Sequence, residues 1–360
     1  MEACGGCGAE VSAVSDTSAI AARDLWQVFG PGAGPALARA REAHGGDPAA
    51  MAEALRAGGL IPAVGGVSFD VAPGELFVVM GLSGSGKSTL IRGLSRLLEP
   101  TSGEVHLEGE DILAATPKRL TEIRREKLGM VFQHFGLFPH MTVLDNVAYP
   151  LRVQGMGRAA RHLRAREVIE LVGLAGREGA YPRALSGGQR QRVGIARSLV
   201  GQCSLWFLDE PFSALDPLIR RQLQDEFLDI RAKLNTTIVF ITHDIAEALK
   251  LADRIAIMRD GQVVQIGTPD DIVLRPADDY VRAFSRDVAR GAHARVGSVM
   301  RRGERVPEGA EVRADMSLEA ALEVCLASAA PVPVRDGQGA VVGALHPADL
   351  IEALRGGGGA

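Results

Sequence analysis

The sequence reads ELFVVMGLSGSGKSTLIRGLSRLL over residues 75–98, where a continuous apolar run passes through a glycine-rich loop into a helical pattern. The loop at 81–88 matches the phosphate-binding pattern G-x-x-x-x-G-K-[ST]. The apolar run is typical of a strand covered on both faces of a parallel sheet, and the helical pattern ends before Pro100. This stretch therefore predicts a strand, a phosphate-binding loop and a helix, in that order.

The predicted loop supplies several kinds of group to a phosphate ligand. Its glycines let the backbone wrap closely enough for N–H groups to point inward, and the following helix adds the favourable dipole of its N-terminus. Lys87 is expected to reach the β- and γ-phosphates, and the Ser88 hydroxyl is expected to bind Mg²⁺. The predicted phosphate-loop residues are Gly81, Leu82, Ser83, Gly84, Ser85, Gly86, Lys87, Ser88 and Thr89.

Two adjacent carboxylates follow a second apolar run. The run LWFL at 205–208 leads directly into Asp209 and Glu210. Ligands of open parallel sheets bind at the carboxyl ends of the strands, so both side chains are expected beside the phosphate loop. Asp209 is placed to hold Mg²⁺, and Glu210 is placed to polarise the water that attacks the γ-phosphate.

Strand and helix patterns alternate along most of the chain and predict an α/β fold with a largely parallel sheet. A further buried-strand pattern, TIVFIT, occupies residues 237–242. Two helical segments interrupt the alternation: an insertion at about 31–62 and a helical subdomain at about 120–190.

The two ends differ in composition from the α/β region, which we assign to residues 19–288. Residues 1–18 are small and polar without apolar periodicity, which predicts a flexible tail. An Arg-, Gly- and Ala-rich linker is expected at 289–309, and a small α+β unit is expected at 310–355.

Bulk composition limits the classes of partner and the compartment. The chain has 360 residues, 46% of them hydrophobic, and a formal net charge of −4, so it can bury a core but presents no broad basic surface for nucleic acid. No stretch approaches 18 consecutive apolar residues and the N-terminus lacks a signal-peptide pattern, so a cytoplasmic location is expected. The Cys4/Cys7 pair lacks the second pair that a structural zinc site needs.

One short motif separates the classes of phosphate-binding protein that remain. The segment Leu185-Ser186-Gly187-Gly188-Gln189 resembles the signature motif of the ABC ATPases. In that family the loop contacts the nucleotide of the opposite subunit through N–H groups at a helix start. The resemblance therefore implies a P-loop ATPase that works as a dimer.

Other positions resemble the ABC ATPases in the family's order along the chain. Phe29 matches the aromatic residue that stacks on adenine, Gln133 matches the Q-loop glutamine, and His243 matches the switch histidine. The resemblance implies catalytic roles for Glu210, His243 and Gln133, and a Mg²⁺ site made by Ser88, Gln133 and Asp209. The further nucleotide contacts that it implies are Phe29, Ser186, Gly187, Gly188, Gln189 and the D-loop residue Asp216.

The resemblance covers about residues 20–288 and is closest to ATPase subunits that import quaternary amines such as glycine betaine, proline betaine, choline or carnitine. The helical insertion between Phe29 and Gly81 is similar to that branch. It implies a head-to-tail homodimer on the cytoplasmic side of the inner membrane, bound to integral membrane permease subunits. An extracytoplasmic solute-binding protein would be an indirect partner.

The last segment resembles a single cystathionine β-synthase-type (CBS) module, with a helix at 317–327, the strands PVPVRD and VVGALH, and the helix PADLIEAL. Gly343 and Asp349 match the module's nucleotide-binding pattern, whereas His346 stands where that pattern usually has Thr or Ser. Such modules usually occur in pairs, so a pair here would need the second subunit.

Two other functions remain as alternatives. A soluble ABC ATPase of translation or repair usually carries two ATPase domains or a long coiled coil, and this chain shows neither pattern. A ligand-sensing regulatory ATPase could work through the CBS-like tail, but sensing alone does not need the base that Glu210 provides.

Overall fold

A computed structural model describes residues 18–131, 136–201, 203–213, 217–233, 236–285, 294–307, 309–328 and 330–355. The strands in that part of the chain are β1 (Ile20–Phe29), β2 (Ile61–Val71), β3 (Leu76–Met80), β4 (Ser102–Leu107), β5 (Glu110–Asp111), β6 (Leu128–Val131), β7 (Leu205–Asp209), β8 (Thr237–Thr242), β9 (Arg254–Arg259), β10 (Gln262–Gly267), β11 (Arg301–Arg302), β12 (Val312–Arg313), β13 (Val332–Arg335) and β14 (Val341–Leu345). The helices are α1 (Ala33–His44), α2 (Pro48–Ala57), α3 (Lys87–Leu94), α4 (Pro117–Glu126), α5 (Val143–Val153), α6 (Arg158–Leu171), α7 (Gly187–Leu199), α8 (Pro217–Lys233), α9 (Ile245–Leu251), α10 (Pro269–Leu274), α11 (Asp279–Ser285), α12 (Leu318–Ser328) and α13 (Pro347–Arg355).

The central sheet has six strands in the order β10-β9-β3-β8-β7-β6, all parallel except the edge strand β10. Every residue of β3 and β8 is buried, as their apolar runs predict for strands covered on both faces. Met80 pairs with Thr242, and Asp209 pairs with Ile241, so the carboxyl ends of β3, β7 and β8 meet at one edge. The α/β fold with a largely parallel sheet is confirmed.

A second sheet, antiparallel and in the order β2-β1-β4-β5, packs against the central one and is not predicted by the sequence patterns. Phe69 of β2 stacks on Phe77 of β3, with 5.0 Å between ring centroids. The predicted insertion forms the helices α1 and α2, which connect β1 to β2 of this sheet. Met51 and Leu55 of α2 pack with Trp26 of β1, so the insertion has a small apolar core of its own.

The helical segment begins later than the predicted boundary near residue 120. Helices α5, α6 and α7 pack together around the buried residues Val147, Ile169 and Val193. By contrast, β6 lies within the predicted helical range but forms the edge of the central sheet beside β7. Its four residues alternate between buried and half-buried, and a run this short does not reveal its period in the sequence.

The C-terminal unit begins earlier than predicted. Its sheet has the order β11-β14-β13-β12, and α12 and α13 contribute Leu318 and Leu350 to its core. Val296 is fully buried in that core and β11 pairs with β14, so residues 294–302 of the predicted linker belong to the folded unit. Both residues of β11 are exposed arginines, so this strand has no apolar pattern that the sequence could reveal.

The described residues include no helix that is both long and apolar enough to cross a bilayer. The predicted tail, including Cys4 and Cys7, lies outside the described residues except for Ser18, and so do residues 286–293.

Candidate functional site

The phosphate loop borders a cavity of about 520 Å³ at the carboxyl edge of the central sheet. A Cβ atom at Gly81 would lie 2.3 Å from the carbonyl oxygen of Met258. One at Gly86, where φ is 99°, would lie 2.1 Å from the carbonyl oxygen of Ala63, so only glycine fits at both positions. The cavity is lined by Ala63, Leu82, Ser83, Gly84, Gly86, Lys87, Ser88, Thr89, Glu210 and His243.

The buried Lys87 side chain folds back onto its own loop. Its Nζ donates hydrogen bonds to the carbonyl oxygens of Gly81 at 2.8 Å and Leu82 at 2.9 Å. Burial lowers the pKa of Lys87, while the carboxylates of Glu210 and Asp209 oppose that shift. Lys87 lines the cavity. Phosphate oxygens bound there would be stronger partners for its ammonium group than the neutral carbonyls are.

Ser88 and Asp209 meet at the same edge of the sheet. The Ser88 hydroxyl donates to Oδ1 of Asp209 at 2.9 Å. Asp209 is 3% exposed, and burial raises the pKa of its carboxyl while the Ser88 hydrogen bond and the charge of Arg92 oppose that shift. A hydroxyl and one carboxylate fit Mg²⁺, which usually completes its shell with phosphate and water oxygens. Among the described residues, no group of three or more His, Cys, Asp or Glu side chains could hold a metal unaided.

Glu210 and His243 face each other from the ends of neighbouring strands. Glu210 follows β7 with a left-handed φ of 47°, and its carbonyl oxygen accepts a hydrogen bond from the Ser213 hydroxyl at 3.0 Å. Nδ1 of His243, which follows β8, lies 3.0 Å from Oε2 of Glu210, and both residues line the cavity. This pair can orient a water molecule and accept its proton beside the phosphates.

The signature segment does not line this cavity in the described part of the chain. Ser186 caps α7: its Oγ accepts from the Gln189 N–H at 3.2 Å, and the Gln189 side-chain oxygen accepts from the Ser186 N–H at 3.0 Å. Ser186 is exposed, so this helix start is open to a ligand from outside the chain.

Phe29 also lies outside the set of cavity-lining residues. It is 40% exposed at the end of β1 and pairs with Ile61, two residues before the lining residue Ala63. Gln133 and Asp216 fall outside the described residues.

The loop rests on residues that the sequence analysis does not single out. In the turn between β9 and β10, the Gly261 N–H donates to the Ser85 carbonyl oxygen at 3.1 Å. Arg56 of α2 donates to the Asp260 carbonyl oxygen of that turn at 2.7 Å. The pair Asp260-Gly261 is a recognisable turn signal in the sequence. Its contact with the loop cannot be predicted from the sequence, because the two segments lie far apart in the chain.

A family model described as "ABC transporter" matches residues 64–213. The chain is 51% identical over 336 residues to the trimethylamine N-oxide transport system ATP-binding protein TmoW of Ruegeria pomeroyi, a match that covers 93% of this chain and 96% of the relative. Its identity to TmoW of Pelagibacter ubique is 47%, over 93% of this chain and 97% of the relative. A match of this length extends into the C-terminal unit.

Other similarities are confined to a smaller share of the chain. The glycine betaine transport ATP-binding protein OpuAA of Bacillus subtilis is 49% identical over 254 residues, which cover 71% of this chain and 61% of the relative. Among solved structures, the dimeric ATP-binding cassette MJ0796 bound to ADP and Pi has a TM-score of 0.58 and 30% identity, covering 69% of this chain and 98% of that one.

Proposed function

This chain belongs to the ATP-binding subunits of the ABC transporters, and we propose that it hydrolyses ATP as a homodimer to drive uptake of a small trimethylated amine. The ATPase activity follows from the family. The observation that carries the cargo class is the match to TmoW, 51% identical over 96% of that relative. The cargo, the partners and the roles of individual residues are proposed here in addition to that activity.

In this proposal the loop at 81–89 holds the phosphates of ATP, and Phe29 stacks on the adenine. Ser88 and Asp209, whose side-chain oxygens are 2.9 Å apart, would hold Mg²⁺ together with Gln133. The ion supplies charge neutralisation at the β- and γ-phosphates. The hydrogen bond between Ser88 and a buried carboxylate supports this role, because it brings two oxygen atoms of the kind that Mg²⁺ prefers to 2.9 Å from each other.

Glu210 accepts the proton of the attacking water in the proposed reaction. His243, 3.0 Å from the Glu210 carboxylate, holds that carboxylate in place and lies close enough to the cavity to contact the γ-phosphate. Lys87 stabilises negative charge on the β- and γ-phosphates, and Gln133 helps to position the water.

The partner subunit completes each site in the proposed dimer. Ser186, Gly187, Gly188, Gln189 and Asp216 would contact the nucleotide held by the opposite loop. The exposed cap of α7, which lies off the cavity of its own chain, supports this arrangement. The similar cassette MJ0796 is dimeric in its ADP- and Pi-bound structure.

The proposed cargo shares one chemical group, a nitrogen atom that carries three methyl groups. Trimethylamine N-oxide and glycine betaine, named in the descriptions of the relatives, both contain it. Such a group is recognised by aromatic faces. The recognition belongs to the permease subunits and to the extracytoplasmic solute-binding protein, while this chain binds the permease on the cytoplasmic side of the membrane.

Reconstitution of the complete transporter in liposomes tests the cargo class. Uptake and ATP hydrolysis should rise with trimethylamine N-oxide or a trimethylated betaine, and should not rise with dimethylglycine, the matched control that lacks one methyl group. Stimulation by neither trimethylated compound would refute the cargo class and leave the ATPase assignment intact.

We also propose that residues 294–355 form a single CBS-like module. The order β12, α12, β13, β14, α13 supports this assignment. Arg301 donates two hydrogen bonds to Asp349, at 2.8 and 3.1 Å, so a nucleotide ribose would have to displace Arg301 from that carboxylate. Nε2 of His346 lies 2.8 Å from Oε1 of Glu304. Truncation of this unit distinguishes a regulatory role from a dimer-stabilising one.

A further inference from the structure

One side chain beneath the phosphate loop belongs to none of the motifs described above. Tyr280 of α11 is half-buried, and its hydroxyl donates to the carbonyl oxygen of Met258 at 3.1 Å. The same carbonyl oxygen lies against Gly81, the first residue of the loop, where a Cβ atom would come within 2.3 Å of it. The phenol hydroxyl therefore holds the carbonyl group that packs against the start of the loop.

We infer that Tyr280 is a positioning residue that fixes the phosphate loop for nucleotide binding. The inference rests on the proposed nucleotide site and adds a residue to it. No side chain of α11 lines the cavity in the described part of the chain, so Tyr280 acts through the backbone of the loop.

The Met258 carbonyl lies where the loop leaves the sheet. Met80 of β3 pairs with Ile257 of β9, and the loop begins at the next residue. The Met258 carbonyl thus lies beyond the last pair between the two strands. A phenol hydroxyl can donate a hydrogen bond, so Tyr280 satisfies this carbonyl oxygen.

The phenol ring is held on two sides. The Arg259 guanidinium lies 4.9 Å from its centroid, and the Phe284 ring meets it edge-on at 5.1 Å. Arg259 also pairs with Asp278 at 3.2 Å, and Asp278 accepts the Val281 N–H at 2.9 Å. The hydroxyl is therefore attached to a fixed ring, so it restrains the loop.

This restraint reaches Lys87 through Gly81. Gly81 packs against the Met258 carbonyl oxygen, and its own carbonyl oxygen accepts a hydrogen bond from Lys87 Nζ at 2.8 Å. Loss of the phenol oxygen would release the Met258 carbonyl and would disturb Gly81 and the lysine bonded to it. ATP and ADP both contact this loop through the β-phosphate, so the effect falls on ground-state binding more than on the chemical step.

The full-length Tyr280→Phe variant tests the inference because it removes the hydroxyl and keeps the ring. We expect the Kd for ADP and the KM for ATP to rise about tenfold, with kcat at saturating MgATP within about twofold of the parent. Tyr181→Phe, which removes a hydroxyl from an exposed tyrosine, is the matched control and should leave all three values unchanged.

Three outcomes separate the possibilities. Unchanged ADP affinity in Tyr280→Phe, with or without a lower melting temperature, would overturn the inference and leave Tyr280 a packing residue. A lower kcat with normal ADP affinity would also overturn it. A parent protein that binds no ADP would instead refute the proposed nucleotide site.

Discussion

Nδ1 of His243 lies 3.0 Å from Oε2 of Glu210, although a helix and a strand separate the two residues in the chain. They meet because β7 and β8 are parallel neighbours and both side chains follow the carboxyl ends of those strands. The Glu210 side chain is only 17% exposed, so bulk water does not compete strongly for its carboxylate. The sheet itself thus brings the proposed base, Glu210, and its histidine partner together.

Glu210→Gln should retain ATP binding and lower hydrolysis by at least about a hundredfold, because the amide cannot accept the proton of the attacking water. Phosphate release and size-exclusion chromatography with ATP measure the two effects, and an ATP-bound dimer should accumulate. Glu126→Gln, on the exposed face of α4, is the matched control. Normal turnover in Glu210→Gln would contradict the assignment.

Asp209→Asn should abolish Mg²⁺-dependent hydrolysis and raise the melting temperature of the nucleotide-free chain by about 2 °C. Burial raises the pKa of Asp209 in the folded state, so its charge destabilises the fold above that pKa. The difference from Asp209→Asn should begin to shrink as the pH falls through the raised pKa, and it should disappear below the ordinary pKa of an aspartate, where both states bind the proton.

Calorimetry of both proteins across the acidic range measures this difference. Asp229→Asn, at an exposed position of α8, serves as the control and should leave the melting temperature unchanged. A destabilised Asp209→Asn protein would show that the Ser88 hydrogen bond outweighs the cost of the buried charge.

A mixture of Ser186→Arg and Lys87→Ala subunits should recover part of the ATPase activity that each variant lacks alone. In a head-to-tail heterodimer, the normal loop of one subunit meets the normal signature segment of the other. Activity is measured against the fraction of heterodimer, determined with two affinity tags. Heterodimers as inactive as either parent would contradict a site shared between subunits.

Phe138→Glu should uncouple transport from hydrolysis. The Phe138 ring packs 4.6 Å from the ring of Tyr149, and its backbone N–H and carbonyl are both bonded to the buried side chain of Asn146. Phe138 is half-buried, which leaves part of the ring for a permease segment. Transport should fall at least about tenfold while basal hydrolysis stays within about twofold.

Liposome uptake and detergent ATPase assays of Phe138→Glu measure the two rates. Tyr149→Leu removes the neighbouring ring without adding a charge and reports the cost of lost packing. If hydrolysis and melting temperature fall together in Phe138→Glu, the residue belongs to the core and not to a docking surface.

Truncation after Asp287 should leave basal hydrolysis close to that of the full chain, because the described C-terminal unit contributes no lining residue to the loop cavity. It does remove the contact of Ser298 with Asp270 and the packing on Leu274, so a modest loss of stability is expected.

Transport by the truncated and full-length forms, measured against salt concentration, tests the regulatory role. Identical salt profiles with a weaker dimer would support the structural role instead.

Motifs whose conformation depends on neighbouring residues in the chain were the most predictable part of the structure. The strand, loop and helix around Lys87 form where the pattern predicts them, because apolar period and glycine spacing are local properties. The pairing of Ser88 with Asp209 also follows, since strands of one parallel sheet end at one edge. Their roles with a nucleotide stay predictions.

Contacts between distant segments were the least predictable part. Neither the antiparallel sheet nor the bridge from Tyr280 to Met258 has a local signature, because each depends on how separate elements pack. The short strands β6 and β11 were missed for a different reason: four and two residues do not establish a period. Tertiary pairing, and not propensity, fixes their conformation.

The contact of Arg56 with Asp260 bears on how the insertion could be exchanged between related cassettes. The helix pair touches the turn that supports Ser85, and Gly261 of that turn sits against the carbonyl oxygen of Pro62, where the chain returns from the helices. The acceptor of Arg56 is a backbone carbonyl, so a graft of residues 31–60 needs a recipient turn of the same shape and not the same residue at position 260. That shape depends on the left-handed conformations of Asp260, with φ of 52°, and Gly261, with φ of 84°. A recipient whose turn follows another path would lose the contact beside the phosphate loop.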